Sequence, residues 1–380
     1  MLSKELIARE FPQLDGLLYL NHAAVSPWPH RTAQEIKRFA EENCRIGARD
    51  YLDWVRKETE LRGQLQKLIN APDCRDIALV KNTSEALSFV AMGLGWESGD
   101  NIVSSSEEFP SNRIPWQSLE QKGVELRQTD LNKQNSAEES LFEQVDSRTR
   151  LLTISSIQFA SGLRLNVEKI GRFCRQRNVL FCVDAIQSIG ALEFDVQACF
   201  ADFAMADGHK WMLGPEGLGV FYTSPRARDL LTVTQFGWHM IEDPNDYANR
   251  PWEIAADSRR FECGSTNMLG IHALSSSLSL LLEIGLETVE AHVIENAQSL
   301  KDLIQSEPKL QLITATDPEL VSGIVVFKHR NVKNESLFHH LRQNGVVCAL
   351  RGGGIRFSPH FYTSKTTLER AVRFAATARG

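Results

Sequence analysis

Apolar positions along this chain follow two rhythms. Short β-branched runs at Ile77–Val80, Asn101–Ser105, Val124–Gln128, Leu151–Ser155, Val179–Val183, Phe203–Ala206 and Leu218–Tyr222 read as strands. Segments with helical spacing lie between most of them: Leu87, Val90 and Ala91 share one face, as do Val167, Ile170, Phe173 and Cys174. This alternation predicts a mostly parallel, seven-stranded sheet flanked by helices on both sides. Runs such as Leu180-Phe181-Cys182-Val183 are apolar on both faces, the pattern of strands buried in a parallel sheet.

The rhythm breaks after Tyr222. Residues from Thr232 to Arg260 mix Gly, Pro, Trp, Asp and Asn, which predicts a long irregular segment of the kind that is often functional. One long helix is expected from Met268 to Ser306. Strand-like Gly323–Lys328, helix-like Glu335–Asn344, short strands around Val346–Leu350 and Ile355–Ser358, and a last helix from Lys365 follow. The expected organisation is a large α/β domain over 15–265. A smaller α/β domain is expected from 1–14 and 266–380, joined through the 268–306 helix.

At 380 residues the chain is long enough for two cores, and 42% hydrophobic with 24% charged residues is ordinary for a soluble globular protein. A net charge of -6 leaves no footprint for nucleic acid or an anionic membrane. The most apolar stretch, Ile271–Ile284, is interrupted by serines and His272 and is too short to span a bilayer. Met1–Phe11 carries Lys4, Glu5, Arg9 and Glu10 and lacks the apolar centre of a signal peptide. The seven cysteines are scattered without a CxxC pair, so neither a metal site nor a disulfide framework is expected, and a reducing cytoplasm fits.

Open parallel sheets bind ligands beyond the carboxyl ends of their strands. Those ends carry Asn82-Thr83-Ser84-Glu85, Glu107-Glu108-Phe109, Gln158-Phe159, Asp184 with Gln187, and Asp207-Gly208-His209-Lys210, so polar groups converge on one rim. Asp184 reads either as the N-cap of a helix over 185–189 or as the counter-charge of a buried cation. Lys210, between a strand end and Gly214-Pro215-Glu216-Gly217, reads either as a solvated surface group or as a desolvated nucleophile able to form a Schiff base. Thr83 and Ser84 stand at a helix start, where free backbone amides also suit a phosphate. Neither a Walker lysine nor a GxGxxG follows the first strand, which disfavours nucleotides. Arg356, beside Gly352-Gly353-Gly354, reads as a solvated strand residue or as a fork for a carboxylate.

Together these residues resemble the class V aminotransferase and cysteine desulfurase-like family of fold-type I pyridoxal-phosphate (PLP) enzymes. The resemblance is carried by Tyr19-Leu20-Asn21-His22-Ala23-Ala24, by Val183-Asp184-Ala185-Ile186-Gln187 and by Asp207-Gly208-His209-Lys210-Trp211. Arg260-Phe261-Glu262-Cys263-Gly264-Ser265-Thr266-Asn267 and Arg356-Phe357-Ser358-Pro359-His360-Phe361-Tyr362 complete it. It implies that Lys210 is the Schiff-base lysine, that Asp184 keeps the pyridine nitrogen protonated, and that Gln187 neighbours the ring hydroxyl. It further implies that Thr83, Ser84 and His209 hold the phosphate and that Ser265 reaches the phosphate in a partner subunit of a homodimer. Arg356 then grips the substrate carboxylate, and Asn21, His22 and Ala24 line the substrate pocket.

Three departures stand out. Phe109 occupies the place of a stacking histidine in cysteine desulfurases, so it can stack but not titrate. Phe159 stands where relatives have an asparagine, with Gln158 a possible substitute. Asp207 replaces a serine or threonine near the phosphate, and its charge predicts that it points away or bonds to backbone. Desulfurases also need a mobile, reactive cysteine, whereas Cys348 in Val346-Val347-Cys348-Ala349-Leu350 reads as buried and inert. The resemblance therefore implies a PLP enzyme acting on a small amino acid, with transamination the default. A C–S lyase acting on cysteine, cystine or selenocysteine without a persulfide cysteine, and an epimerase, are alternatives on the same scaffold. A non-catalytic binding protein with this fold is the alternative of another class.

Overall fold

The computed structural model describes residues 3–12, 16–131, 136–246, 248, 251–317 and 320–379. Its strands are β1 (Leu18–Tyr19), β2 (Ile77–Val80), β3 (Asn101–Ser105), β4 (Glu125–Thr129), β5 (Thr149–Ser155), β6 (Leu180–Asp184), β7 (Phe203–Asp207), β8 (Gly219–Thr223), β9 (Leu310–Leu312), β10 (Val325–His329), β11 (Val346–Val347), β12 (Ala349–Arg351) and β13 (Gly354–Phe357). All seven expected strands form one sheet, ordered β2-β8-β7-β6-β5-β3-β4. β3 to β7 run parallel, while β8 lies antiparallel to both β7 and β2. The β7–β8 connection contains no crossover helix, so the chain returns in the opposite direction.

Both faces of this sheet are buried except at the edge strand β4, as the continuous apolar runs predict. Leu152, Ile154, Phe181, Val183, Ala204 and Ala206 belong to the core on one face. Their chain neighbours Leu151, Leu180, Cys182, Phe203 and Met205 belong to the core on the other, the period of two expected of strands. Each such large apolar side chain contributes about 1.5–3 kcal/mol when fully buried. The parallel strands all end at one edge, and that edge carries Ser155, Asp184 and Asp207.

The helices His30–Ile46 and Tyr51–Leu68 were not legible as strong apolar stripes, and both pack on the helix Met268–Ile284. The first buries only Thr32 and Phe39, and the second buries Trp54, Leu61, Leu65 and Leu68. The single helix expected over 268–306 is instead two, Met268–Ile284 and Leu286–Ser306, bent by 85°. Gly285 between them has φ +89°, a left-handed conformation that glycine adopts without steric cost. Met268–Ile284 lies against the large-sheet core, and Leu286–Ser306 carries Ala297, Leu300 and Ile304 into a second core. No single helix among the described residues is long and apolar enough to cross a membrane.

That second core is built around the antiparallel sheet β12-β13-β10-β9 and the helix Lys365–Thr377. The N-terminal segment enters it through Leu18 and Leu20. β1 pairs in parallel with β11, and Asn21 bridges to Ser358. The expected domain boundary between residues 14 and 15 lies outside the described residues. The irregular segment after Leu231 contains, among its described residues, short 3-10 turns and one antiparallel bridge between Ile241 and Ile254.

Two glycine substitutions test this packing. Gly190 has φ +93°, and an added Cβ would meet the Trp211 carbonyl carbon and oxygen at 2.5 Å. Gly190→Ala is expected to lower the unfolding free energy by about 2 kcal/mol or more, read as a lowered denaturant midpoint. Gly63, inside the helix Tyr51–Leu68, has nothing within 4 Å of an added Cβ. Gly63→Ala is expected to raise stability by about 0.5–1 kcal/mol.

Candidate active site

A cavity of about 240 Å³ opens at the carboxyl edge of the large sheet, lined by residues from both cores. Thr83 opens the helix Thr83–Gly93, whose N-cap Asn82 accepts the Glu85 N–H at 2.9 Å. Asp184 ends β6, and Gln187, Lys210 and His209 stand on the turns after β6 and β7. Arg356 comes from β13 of the smaller sheet, and Ala24 from the N-terminal segment. Phe109 lines the same space and is 43% exposed, so a ring face is left uncovered next to buried charges. The Lys210 Nζ lies 5.9 Å from the Phe109 ring centroid, and Phe159 meets Phe109 edge-on.

Asp184 is buried, and its Oδ1 accepts one hydrogen bond, from the Ile186 N–H at 3.1 Å. No helix follows it, so the N-cap alternative is excluded and the carboxyl is left facing the cavity. Burial, and then the charge of Glu108, push the Asp184 carboxyl up. Burial pushes the Lys210 amine down against the opposing pull of Asp184, and Arg356 lowers it further. A lysine held this way loses its proton at a lower pH than a surface lysine and can serve as nucleophile and base. Arg356 is pushed down to about 10, by burial first and then by Arg351. It donates to the Phe159 carbonyl at 2.7 Å, and its buried Nε has no partner among the described residues. An anion is the group that would satisfy that guanidinium.

The structure gives Glu108, in the motif that follows β3, a structural role. It is buried and accepts from the Ser155 N–H at 2.8 Å, Gln158 Nε2 at 2.8 Å, Asn112 Nδ2 at 2.9 Å and the Ser155 hydroxyl. Burial nonetheless pushes its carboxyl up. The network fixes the backbone next to Phe109 from behind the cavity. The sequence signal was a charged residue directly beyond an apolar strand.

The remaining expected residues are placed as follows. Gln158 is fully buried in the Glu108 network and does not line the cavity, whereas Phe159 does. Gln187 donates to the Ala23 carbonyl at 3.1 Å and accepts from Trp211 Nε1 at 2.8 Å. Asp207 bonds to backbone, as its charge predicted: its Oδ1 accepts the Thr83 N–H at 2.7 Å. His209, 3.6 Å from Asp207, is pushed down to about 4, by burial first and then by Lys210. Ser84 sits behind Ser111, with their hydroxyls 2.8 Å apart. Asn21 and His22 stay outside the lining. The His22 Nδ1 lies 2.8 Å from the Ser358 carbonyl and its Nε2 lies 2.7 Å from the Tyr362 hydroxyl. Burial pushes this ring down to about 4.

Ser265 is separate from Lys210. It lines a second cavity of about 290 Å³ with Glu58, Arg62, His239, Arg259 and Thr266. Ligand atoms of Glu58, His239 and Glu262 lie within 4.8 Å of one another there. Arg62 already bonds both carboxylates at 2.7 Å, so the positive charge that a metal would bring is supplied by protein.

A half-buried lysine opposed by a buried acid, with an aromatic face and an unsatisfied arginine at the rim, defines a site for an electrophilic cofactor and a carboxylate substrate. The class V aminotransferase family model matches residues 18–375, and the chain belongs to that family. It is thereby a PLP-dependent enzyme of the transferase or lyase kind. A probable cysteine desulfurase of Methanothermobacter thermautotrophicus is 30% identical over 96% of this chain and 95% of its own. The solved cystine C–S lyase C-DES, in complex with its product cysteine persulfide, aligns with a TM-score of 0.90 at 22% identity over 98% of this chain and 100% of its own. The apo cysteine desulfurase of Thermococcus onnurineus NA1 aligns with a TM-score of 0.87 at 23% identity, covering 98% and 97%.

The residues present fit PLP. Asp184 offers a carboxylate that has one donor and lines the cavity, where a protonated ring nitrogen would pair with it. Phe109 offers a stacking face, and Thr83 and His209 line the end of the cavity at the helix start.

Cys348 is 6% exposed, does not line the cavity, and its thiol is pushed up to about 12 by burial. A thiol with that pKa is about one part in ten thousand thiolate at pH 8. Alkylation with iodoacetamide at pH 8 is expected to label exposed Cys44 and spare Cys348, read by peptide mass mapping. Rapid labelling of Cys348 in the native protein would contradict this.

Proposed function

We propose that this enzyme is a PLP-dependent lyase that breaks a C–S bond at the β-carbon of a small amino acid without passing sulfur to a cysteine of its own. The observation that carries the reading is the make-up of the cavity: Lys210, Asp184 and Arg356 converge there, and among the described residues no thiol lines it. The relative at 30% identity bears a name that implies sulfur chemistry on cysteine. The burial of Cys348 disfavours the persulfide-forming version of that chemistry.

When bound, PLP withdraws electrons from the substrate's α-carbon through its protonated ring. Asp184 would hold the proton on that ring, because a cation facing it offsets the burial that otherwise pushes its carboxyl up. Phe109 fixes the plane of the ring. Arg356 binds the substrate carboxylate, which orients the bond to be broken. The Lys210 amine, lowered by burial, accepts the α-proton as general base, and the C–S electron pair leaves with sulfur.

Phe109 has no proton to give a departing sulfur. That observation favours transamination as the second reading, unless the sulfur departs as a stabilised anion. The reading includes a homodimer, in which Ser265 completes a neighbouring Lys210 cavity across the subunit contact. The separation of Ser265 from Lys210 within one chain supports it.

Incubation of the PLP-loaded protein with cysteine or cystine is expected to yield pyruvate together with sulfide or persulfide sulfur. Reversible bleaching of the visible band by an amino acid, restored by a keto acid and without pyruvate, would make the enzyme a transaminase instead. Arg356→Gln is expected to raise KM for amino acids by about a hundredfold or more, the scale of a lost buried charge pair.

A further inference from the structure

The peptide that follows Lys210 is held by a residue outside the cavity. His360 is fully buried, does not line the Lys210 cavity, and takes no part in the steps above. Its Nε2 lies 3.0 Å from the Trp211 carbonyl oxygen. Its Nδ1 accepts the Phe361 N–H at 2.8 Å. A neutral imidazole that accepts at one nitrogen carries its proton on the other. The Nε2–H therefore donates to the Trp211 carbonyl. Burial, and then the neighbouring His22, hold this ring well below the usual histidine range, which keeps it neutral.

Both ends of this bond are fixed. The His360 N–H donates to the Thr363 hydroxyl at 3.0 Å, and its carbonyl accepts from Asn296 Nδ2 at 2.9 Å. The His22 and Trp211 rings each lie 5.3 Å from the His360 ring, centroid to centroid. The Trp211 Nε1–H donates to Gln187 at 2.8 Å, and an added Cβ at Gly323 would meet the edge of the indole at 2.5 Å. His360 also stands where the chain crosses between units, after Phe357 in the smaller core and before Phe361 in the larger one. An apolar side chain would fill that space without the cost of burying a polar ring. The bond that a histidine adds across the fold is the one to Trp211, directly beside Lys210.

We infer that His360 is a positioning residue: by donating to the Trp211 carbonyl it fixes the turn that carries Lys210 and so presents the lysine amine to the aldehyde of PLP. This role rests on the reading that Lys210 captures PLP. In that step the Lys210 nitrogen bonds to the aldehyde carbon, and the aldehyde oxygen leaves as water with both protons from the amine.

Capture is timed by mixing the cofactor-free protein with saturating PLP, quenching with borohydride at intervals and measuring the phosphopyridoxyl adduct on the Lys210 peptide by mass. Pyridoxamine phosphate has no aldehyde, so its dissociation constant, read by calorimetry, reports the shape of the site alone. His360→Leu and His360→Phe remove the donor, and His360→Gln keeps an N–H at similar reach. The donor-free variants are expected to slow capture at least about tenfold while binding pyridoxamine phosphate within about twofold of the parent. His360→Gln is expected to capture PLP within about threefold of the parental rate. Either donor-free variant that folds is enough for the comparison. Parental capture in a donor-free variant, pyridoxamine phosphate affinity that falls in step with the rate, or a glutamine variant as slow as the leucine one overturns the inference. Failure of all three variants to fold also overturns it, because His360 would then serve the fold alone. A parent protein that forms no adduct at Lys210 overturns the reading of the cavity and this inference with it.

Discussion

The opposition of Asp184 and Lys210 across one cavity sets the terms for the rest of the molecule. An acid at the end of a buried strand costs free energy unless a cation faces it, and a lysine in the same low-dielectric space is pushed toward neutrality. Each group is perturbed by burial first and by its charged neighbours second. The pair is therefore poised: the protein keeps an acid that wants a cation and an amine that gives up its proton easily. A ring nitrogen that can be protonated and a carbonyl that can be attacked are the partners that this arrangement selects.

The scaffold serves that opposition. Parallel strands buried on both faces bring Asp184 and the β7 end to one edge, three residues ahead of Lys210. The turn carrying Lys210 is held from behind by backbone contact between Gly190 and Trp211. Glu108 is anchored by four donors and holds the chain next to Phe109 in place. The second core brings the other side of the cavity. Its β12–β13 hairpin presents Arg351 and Arg356, and the 85° turn at Gly285 lets one helical stretch join both cores. Under the proposed reading, cofactor chemistry and substrate recognition arise from different hydrophobic units that meet at the cavity.

Much of this was legible in the chain. The seven strands stood out because buried parallel strands are apolar without interruption, as in Leu180–Val183. The rim residues stood out because polar groups at strand ends have few structural reasons to be there. Other features left weaker marks. The helix His30–Ile46 buries only two side chains, so its stripe is narrow. β1 is two residues long and is defined by its partner β11, not by its own pattern. Gly285 inside an apolar stretch reads as a tolerated glycine until its φ is known. Asn21 and His22 share a motif with Ala24, yet the chain turns so that only Ala24 and Ala23 reach the lining. The Glu108 network is a tertiary property: its donors come from Asn112, Ser155 and Gln158, and none of these contacts follows from local spacing.

The account stands on the covalent capture of the cofactor by one amine. Reduction of the PLP-loaded protein with borohydride, followed by peptide mass mapping, tests it directly. A stable phosphopyridoxyl adduct on the peptide containing Lys210, and its loss in Lys210→Ala, is the result expected. An adduct on a different lysine, or a native protein that takes up PLP and yields no adduct at position 210, would contradict it.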